Sequence, residues 1–361
     1  MKKLELSGKD ILITGAAGFI GANLCCRLLE SAEYSGMRIT GLDSVNDYYD
    51  PAIKEYRLKK IEEAAERSKS SFRFVKGSIA DRQLLHSLFS SNDFAVVVNL
   101  AAQAGVRYSI ENPDAYMEAN VMGFYYVLEE CRHSSDEGRK GVEHLVYASS
   151  SSIYGSNSSI PYRVEDATEH PVSLYGATKK TDELMAHAYS KLYEIPTTAL
   201  RFFTVYGPAG RPDMAYFSFT EKLLKGEKIK IFNNGKCRRD FTYVDDVTKA
   251  VEAVMKGAPD KRTGDDGLPL PPAAVYNIGN SSPVDLMEFV SILGEELKEA
   301  GVLDKSLKLE ERLELVPMQP GDVAVTYADT SKLEEDYGFR PSTPLREGIR
   351  RFAQWYKEFY A

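Results

Sequence analysis

Ile11-Leu-Ile-Thr-Gly15-Ala-Ala-Gly18-Phe-Ile-Gly21 decides the fold of this chain. A short apolar run meets three glycines, and Ile20, Leu24 and Leu28 then recur at helical spacing. Gly15 permits a tight turn, Gly18 lets backbone N–H groups approach a pyrophosphate at the positive end of the helix, and Gly21 lets helix and strand pack closely. Strand, turn and helix in that order separate this run from an incidental glycine-rich turn, and imply a dinucleotide site that includes Phe19 and Ile20. Asp43 ends the next apolar stretch. A carboxylate there accepts hydrogen bonds from the adenosine ribose and repels a 2′-phosphate, which favours NAD over NADP.

Working outward, further strand candidates lie at 72–75, 95–100, 145–148 and 198–203, with helical periods between them. Apolar strands separated by helices predict an α/β fold, a doubly wound parallel (Rossmann) sheet covered on both faces. Residues 1–203 form this NAD-binding domain, with 241–262 returning to it. Residues 204–240 and 263–361 are read mainly as a smaller C-terminal α/β substrate-binding domain, some pieces of which return to the sheet. Helices are expected at 245–256, 286–300 and 345–359.

The formal net charge of −8 argues against a nucleic-acid partner, which would need concentrated Lys and Arg. No apolar run reaches the roughly 20 residues of a membrane span. Cys25, Cys26, Cys131 and Cys237 show no C-x-x-C spacing, and the histidines show no H-x-x-x-H spacing. Reduced thiols in a cytoplasmic protein without a metal site are expected.

Tyr175-Gly-Ala-Thr-Lys179 puts a phenol and an ammonium one helical turn apart, after a strand that ends in Ser149-Ser-Ser-Ser152. A phenol titrates near 10 and is a poor base at neutral pH. A neighbouring Lys⁺ and the positive nicotinamide of oxidised NAD both stabilise the phenolate. With Ser150 sharing the substrate proton, Tyr175 and Lys179 make a general acid–base site beside a hydride acceptor.

Taken together, these residues resemble the extended short-chain dehydrogenase/reductase family of nucleotide-sugar enzymes. The resemblance runs over nearly the whole chain. It includes Asn99-Leu100-Ala101-Ala102, Asn120, the serine cluster, the Tyr–Lys pair and Arg239-Asp-Phe-Thr-Tyr-Val-Asp-Asp246. It implies that Leu100, Ala101, Ala102 and Asn120 border the cofactor and that Lys179 holds the nicotinamide ribose. It also implies that Ser150 assists Tyr175, that Arg239 contacts the nucleotide diphosphate, and that the protein is a homodimer through helices over 112–132 and 174–192. One departure stands out. The family carries an acidic residue before an apolar one near the adenine, where this chain has Ser78-Ile79. Ile79 is expected to pack on the adenine, and Ser78 can accept only an uncharged hydrogen bond there.

Dehydratases of the family resemble one another in an Asp-Glu pair before an aromatic-Gly turn, and the decarboxylases keep the Glu. Here those positions are Ser151 and Ser152. The missing carboxylates favour epimerisation at C4 through a 4-keto sugar. The segments Asp43-Ser-Val-Asn-Asp47-Tyr-Tyr-Asp50, Gln103-Ala-Gly-Val-Arg107-Tyr-Ser and Met318-Gln319-Pro-Gly-Asp322-Val look like UDP-glucuronate 4-epimerases more than UDP-galactose 4-epimerases. By that likeness Arg107, Gln319 and Asp322 meet the substrate, and Thr204 and Arg211 hold the sugar carboxylate with Ser151 and Ser152. A carboxylate suits a guanidinium and several hydroxyls. The alternatives are a UDP-glucose or UDP-N-acetylglucosamine 4-epimerase, a UDP-glucuronate decarboxylase, and an NAD-sensing regulator on the same fold.

Overall fold

Seven strands form one parallel sheet in the computed structural model, which describes residues 1–264, 266–318 and 323–360. From one edge to the other they are Ala273–Ile278, Thr197–Phe202, His144–Ser150, Phe94–Asn99, Asp10–Thr14, Arg38–Asp43 and Ser71–Lys76. Every residue of Phe94–Asn99 and Thr197–Phe202 is buried, as expected for strands covered on both faces. The edge strand Ser71–Lys76 has only exposed and half-buried positions. The chain builds outward from Asp10–Thr14 to Ser71–Lys76, returns to Phe94–Asn99, and then builds the other way. That reversal opens a crevice beyond the carboxyl ends of Asp10–Thr14 and Phe94–Asn99, where ligands bind in such sheets.

The strands predicted from apolar runs coincide with the observed ones to within a residue or two at each end, with 95–100 and 198–203 running one residue past them. The seventh strand, Ala273–Ile278, comes from the C-terminal part and pairs with Thr197–Phe202. Helix Val244–Met255 packs against the first helix, Phe19–Glu30, and Glu252 binds both Arg27 and the Tyr34 hydroxyl.

Two regions add to the sequence expectation. The helix expected over 112–132 is present as one run from Pro113 to His133, and its middle stretch, Met117–Gly123, is π-helical. That stretch carries the buried Asn120, and such turns are frequent at functional sites. The irregular segment 204–240 contains a helix, Ala215–Leu224, whose buried Tyr216, Thr220 and Leu223 keep helical spacing.

A smaller sheet carries the other wall of the crevice. In it Arg238–Tyr243 pairs with Thr204–Tyr206 on one side and Pro283–Asp285 on the other. Among the described residues no helix is long and apolar enough to cross a membrane.

Candidate active site

A cavity of about 820 Å³ opens at the crevice. Its cofactor side begins with the glycine turn. Gly15 has φ +70°, and a Cβ on Gly21 would sit 2.1 Å from the Gly15 carbonyl oxygen, so only glycine lets the helix come this close. No side chain caps that helix and no acidic residue lies in its first turn, so its N–H groups face the cavity uncompensated. An anionic pyrophosphate suits that end. One Asp43 oxygen accepts from the Ala17 N–H at 3.0 Å and the other from the Val45 N–H at 2.8 Å. The carboxylate is therefore fixed at the strand end, with lone pairs left for ribose hydroxyls. These residues fit a dinucleotide.

Phe19, Ile20, Leu42, Ser78, Ile79, Leu100, Ala101 and Ala102 also line the cavity. The Ser78 hydroxyl oxygen accepts from the Ala80 N–H at 3.1 Å, a local turn that leaves its proton to donate. Thr14 donates to Asn99 at 2.6 Å and accepts from the Ala101 N–H, which holds the 99–102 loop against the first strand.

Asn120 does not line the cavity. Its amide donates to the Gln103 carbonyl and the Thr178 hydroxyl, both at 3.0 Å, and its oxygen accepts from the Gln103 N–H at 2.8 Å. It braces the 99–105 loop against the helix that bears Tyr175, which differs from the direct cofactor contact expected.

Tyr175 and Lys179 lie on successive turns of helix Leu174–Tyr193 and both face the cavity. Ser173 caps that helix through the Gly176 N–H at 3.0 Å. A Cβ on Gly176 would lie 2.6 Å from the Ser152 carbonyl oxygen, so this glycine seats the helix start directly on the serine turn. Ser150 accepts from the Ser152 N–H at 3.1 Å, and Ser150, Ser151 and Ser152 all line the cavity. Beneath them Glu183 accepts from Ser149 at 2.6 Å and takes one edge of the buried Arg201 guanidinium, Nε and a terminal nitrogen, at 2.9 Å each.

Across the cavity stand Thr204, Arg211, Arg107 and Arg239. Arg211 donates to both oxygens of Asp213 and to the Ala104 carbonyl. The Arg107 guanidinium lies 4.7 Å from the ring centre of Phe232, which also lines the cavity. Gln319 and Asp322 lie outside the described residues.

Several contributors were not singled out from sequence. Tyr48, Lys54, Asp213 and Phe232 border the cavity, and Tyr48 donates to Asp213 at 3.3 Å. Buried Arg57 donates to the carbonyls of Ala17, Ala209 and Gly210, and so ties the glycine turn to the loop before Arg211. Those acceptors are backbone oxygens distant in sequence, and no local pattern announces them.

Comparison with known proteins agrees with this geometry. The sequence profile of the NAD dependent epimerase/dehydratase family matches residues 11–279. Protein CapI of Staphylococcus aureus is 46% identical over 97% of this chain and 99% of its own length. UDP-glucuronate 4-epimerase 4 of Arabidopsis thaliana is 42% identical over 98% of this chain and 77% of its own. The crystal structure of UDP-glucuronic acid 4-epimerase from Bacillus cereus, in complex with UDP-glucuronic acid and NAD, superposes with a TM-score of 0.79 at 30% identity. It covers 97% of this chain and 100% of that one.

Proposed function

Because the chain belongs to the NAD dependent epimerase/dehydratase family, we propose that it is an NAD-dependent enzyme that inverts C4 of UDP-glucuronate to give UDP-galacturonate. The observation that carries this reading is one continuous cavity. It joins the glycine turn and Asp43 to Tyr175 and Lys179, and these to a wall made of Ser151, Ser152, Thr204 and Arg211.

The glycine turn, Asp43 and Lys179 would hold NAD, which would supply a reversible hydride acceptor at the sugar carbon. The chain's own residues do the rest. Tyr175 takes the proton of the C4 hydroxyl and later returns it, and Ser150 hydrogen-bonds the same oxygen. Lys179 keeps positive charge beside the phenol and meets the nicotinamide ribose. Arg239 takes the nucleotide diphosphate, with Arg107 as a second cation. Ser151 and Ser152 leave no carboxylate at the positions that could act as acid for dehydration.

A 4-keto uronate is a β-keto acid, which loses carbon dioxide when its carboxylate bond stands perpendicular to the carbonyl plane. Thr204, Arg211 and the two serines clamp the carboxylate away from that orientation. The exposed apolar residues Ile110, Met117, Met122, Leu184 and Leu192 lie on the segments 108–133 and 174–193. They support a homodimer built on those helices. Incubation with UDP-glucuronate, UDP-glucose and UDP-N-acetylglucosamine in parallel, followed by separation of the sugar products, tests the substrate. UDP-galacturonate is the expected product, and turnover of the neutral sugars alone would replace it with a hexose epimerase.

A further inference from the structure

Helix Leu174–Tyr193 holds a carboxylate that the proposed chemistry does not use. Asp182 stands one turn beyond Lys179, and its Oδ2 accepts from the Lys179 ammonium at 3.0 Å, with both side chains 2% exposed. Its other oxygen is buried and has no hydrogen-bond partner. The adjacent Glu183 is different, since both of its oxygens are taken by Ser149 and Arg201. The helix thus carries two neighbouring buried acids, one saturated and one half satisfied.

A half-satisfied buried carboxylate is costly, and native interiors keep few of them. An amide of the same shape would still hold Lys179 through its oxygen. What Asp182 adds over an amide is charge. Burial pushes its carboxyl up to about 6 against the opposing pull of Lys179. On its own helix it faces Lys179 and Glu183. From strand His144–Ser150 it faces the Tyr147 phenol, which burial and the two acids hold well above its usual range. From strand Thr197–Phe202 comes Arg201, which is engaged by Glu183. From the segment 113–133, Asn120 meets the helix at uncharged Thr178, Tyr116 meets Tyr175 edge-on, and Glu129 bonds the distant Tyr189. Lys179 is therefore the cation through which Asp182 acts, and Lys179, unlike Asp182, lines the cavity.

We propose that Asp182 is a positioning residue that holds the Lys179 ammonium back along the helix and offsets its charge, and so sets the pH range over which Tyr175 exchanges its proton. This rests on Tyr175 and Lys179 being the acid–base pair of the proposed reaction. Removing the negative charge leaves Lys179 uncompensated beside the phenol, which makes the phenolate easier to form.

The test uses protein labelled with ¹³C at the tyrosine Cζ, with the Tyr175 signal assigned from its loss in Tyr175→Phe. In Asp182→Asn and Asp182→Ser that signal should titrate about one pH unit lower than in the wild type. The acid limb of the kcat/KM profile should move in the same direction. An unmoved titration in a folded variant overturns the proposal, whatever happens to kcat, because a packing role would leave the titration alone. An upward shift overturns it too, and so does failure of both variants to fold, since a charge needed only for positioning is not needed for folding. If the wild type turns over no UDP-sugar, the labelled titration still decides the part played by Asp182, and the fault lies with the assigned reaction.

Discussion

Arg211 grips Asp213 with two hydrogen bonds, from Nε to Oδ1 at 3.0 Å and from a terminal nitrogen to Oδ2 at 2.6 Å, inside the cavity that Tyr175 lines. The fork is held in one orientation by a carboxylate of the chain itself. In the proposed complex the sugar carboxylate would meet a guanidinium already oriented, with Thr204 and the serines completing its shell.

That arrangement makes Arg211→Ala selective in its effect. A hydrogen bond to a charged group contributes about 1.5–3 kcal/mol, so kcat/KM for UDP-glucuronate should fall roughly ten- to hundredfold. The loss for UDP-glucose should be much smaller. Equal losses on both substrates would make Arg211 a scaffold residue. Pentose product or carbon dioxide from Arg211→Ala or Thr204→Ala would show that the clamp suppresses decarboxylation, and reduced turnover without any pentose would leave only a binding role.

Tyr175→Phe keeps the ring, and with it the edge-on contact to Tyr116 at 6.1 Å, while removing the hydroxyl proposed to transfer the proton. Epimerisation should slow by about 10²–10⁴-fold with the thermal midpoint unchanged. Near-normal turnover in this variant would remove Tyr175 from the chemistry.

Asp43 should make cofactor-stripped protein bind NAD far better than NADP, because its fixed carboxylate repels a 2′-phosphate. Calorimetric titration with both cofactors checks this, and equal affinities would count against the role. Asp43→Asn removes the repulsion while keeping one acceptor oxygen, and should narrow the preference.

Much of this was legible before the fold was known, and the reason is locality. The glycine turn, Asp43 and the Tyr175–Lys179 spacing each state their geometry within a few residues. The apolar strands state theirs by being buried on both faces. What was not legible depends on contacts across the chain. Arg57 meets Ala209, 152 residues away, and Tyr48 joins the site by donating to Asp213, 165 residues away. Asn120 was read as a neighbour of the cofactor, whereas its hydrogen bonds go to Gln103 and Thr178, 17 and 58 residues away, which no local pattern announces. The helix Ala215–Leu224 was hidden among the aromatic and glycine-rich residues of 204–240, where its buried stripe is short.

Buried His144 gives a stability signature in acid. Its Nε2 lies 2.8 Å from the Thr198 hydroxyl, and burial pushes its imidazole down to about 4. The unfolded chain takes up that proton near 6.5, so it binds more protons than the folded chain between those values. Stability from this group is complete above about pH 6.5 and is lost as pH falls toward 4, by about 3 kcal/mol. Asp182, raised to about 6, runs in the opposite sense over part of the same window. The contribution is therefore read as a difference: the wild-type minus His144→Gln thermal midpoint should shrink as pH falls from 7 to 4. A constant difference would contradict it.

Glu183→Gln should destabilise the fold by about 3–5 kcal/mol, because it leaves the buried Arg201 charge without its partner. Denaturant unfolding measures this. A change below about 1 kcal/mol, the range of exposed pairs, would mean that the Tyr154 hydroxyl and the Val164 carbonyl, which Arg201 already meets, suffice to hold its charge.

In the proposed reaction one sugar carbon gives up a hydride inside this cavity and receives it back on its other face. Incubating the enzyme with UDP-glucuronate carrying deuterium at C4 tests it most directly, with the products read by NMR. UDP-galacturonate with the deuterium still at C4 is the expected product. Deuterium lost from C4, or a UDP-pentose as the main product, would contradict it.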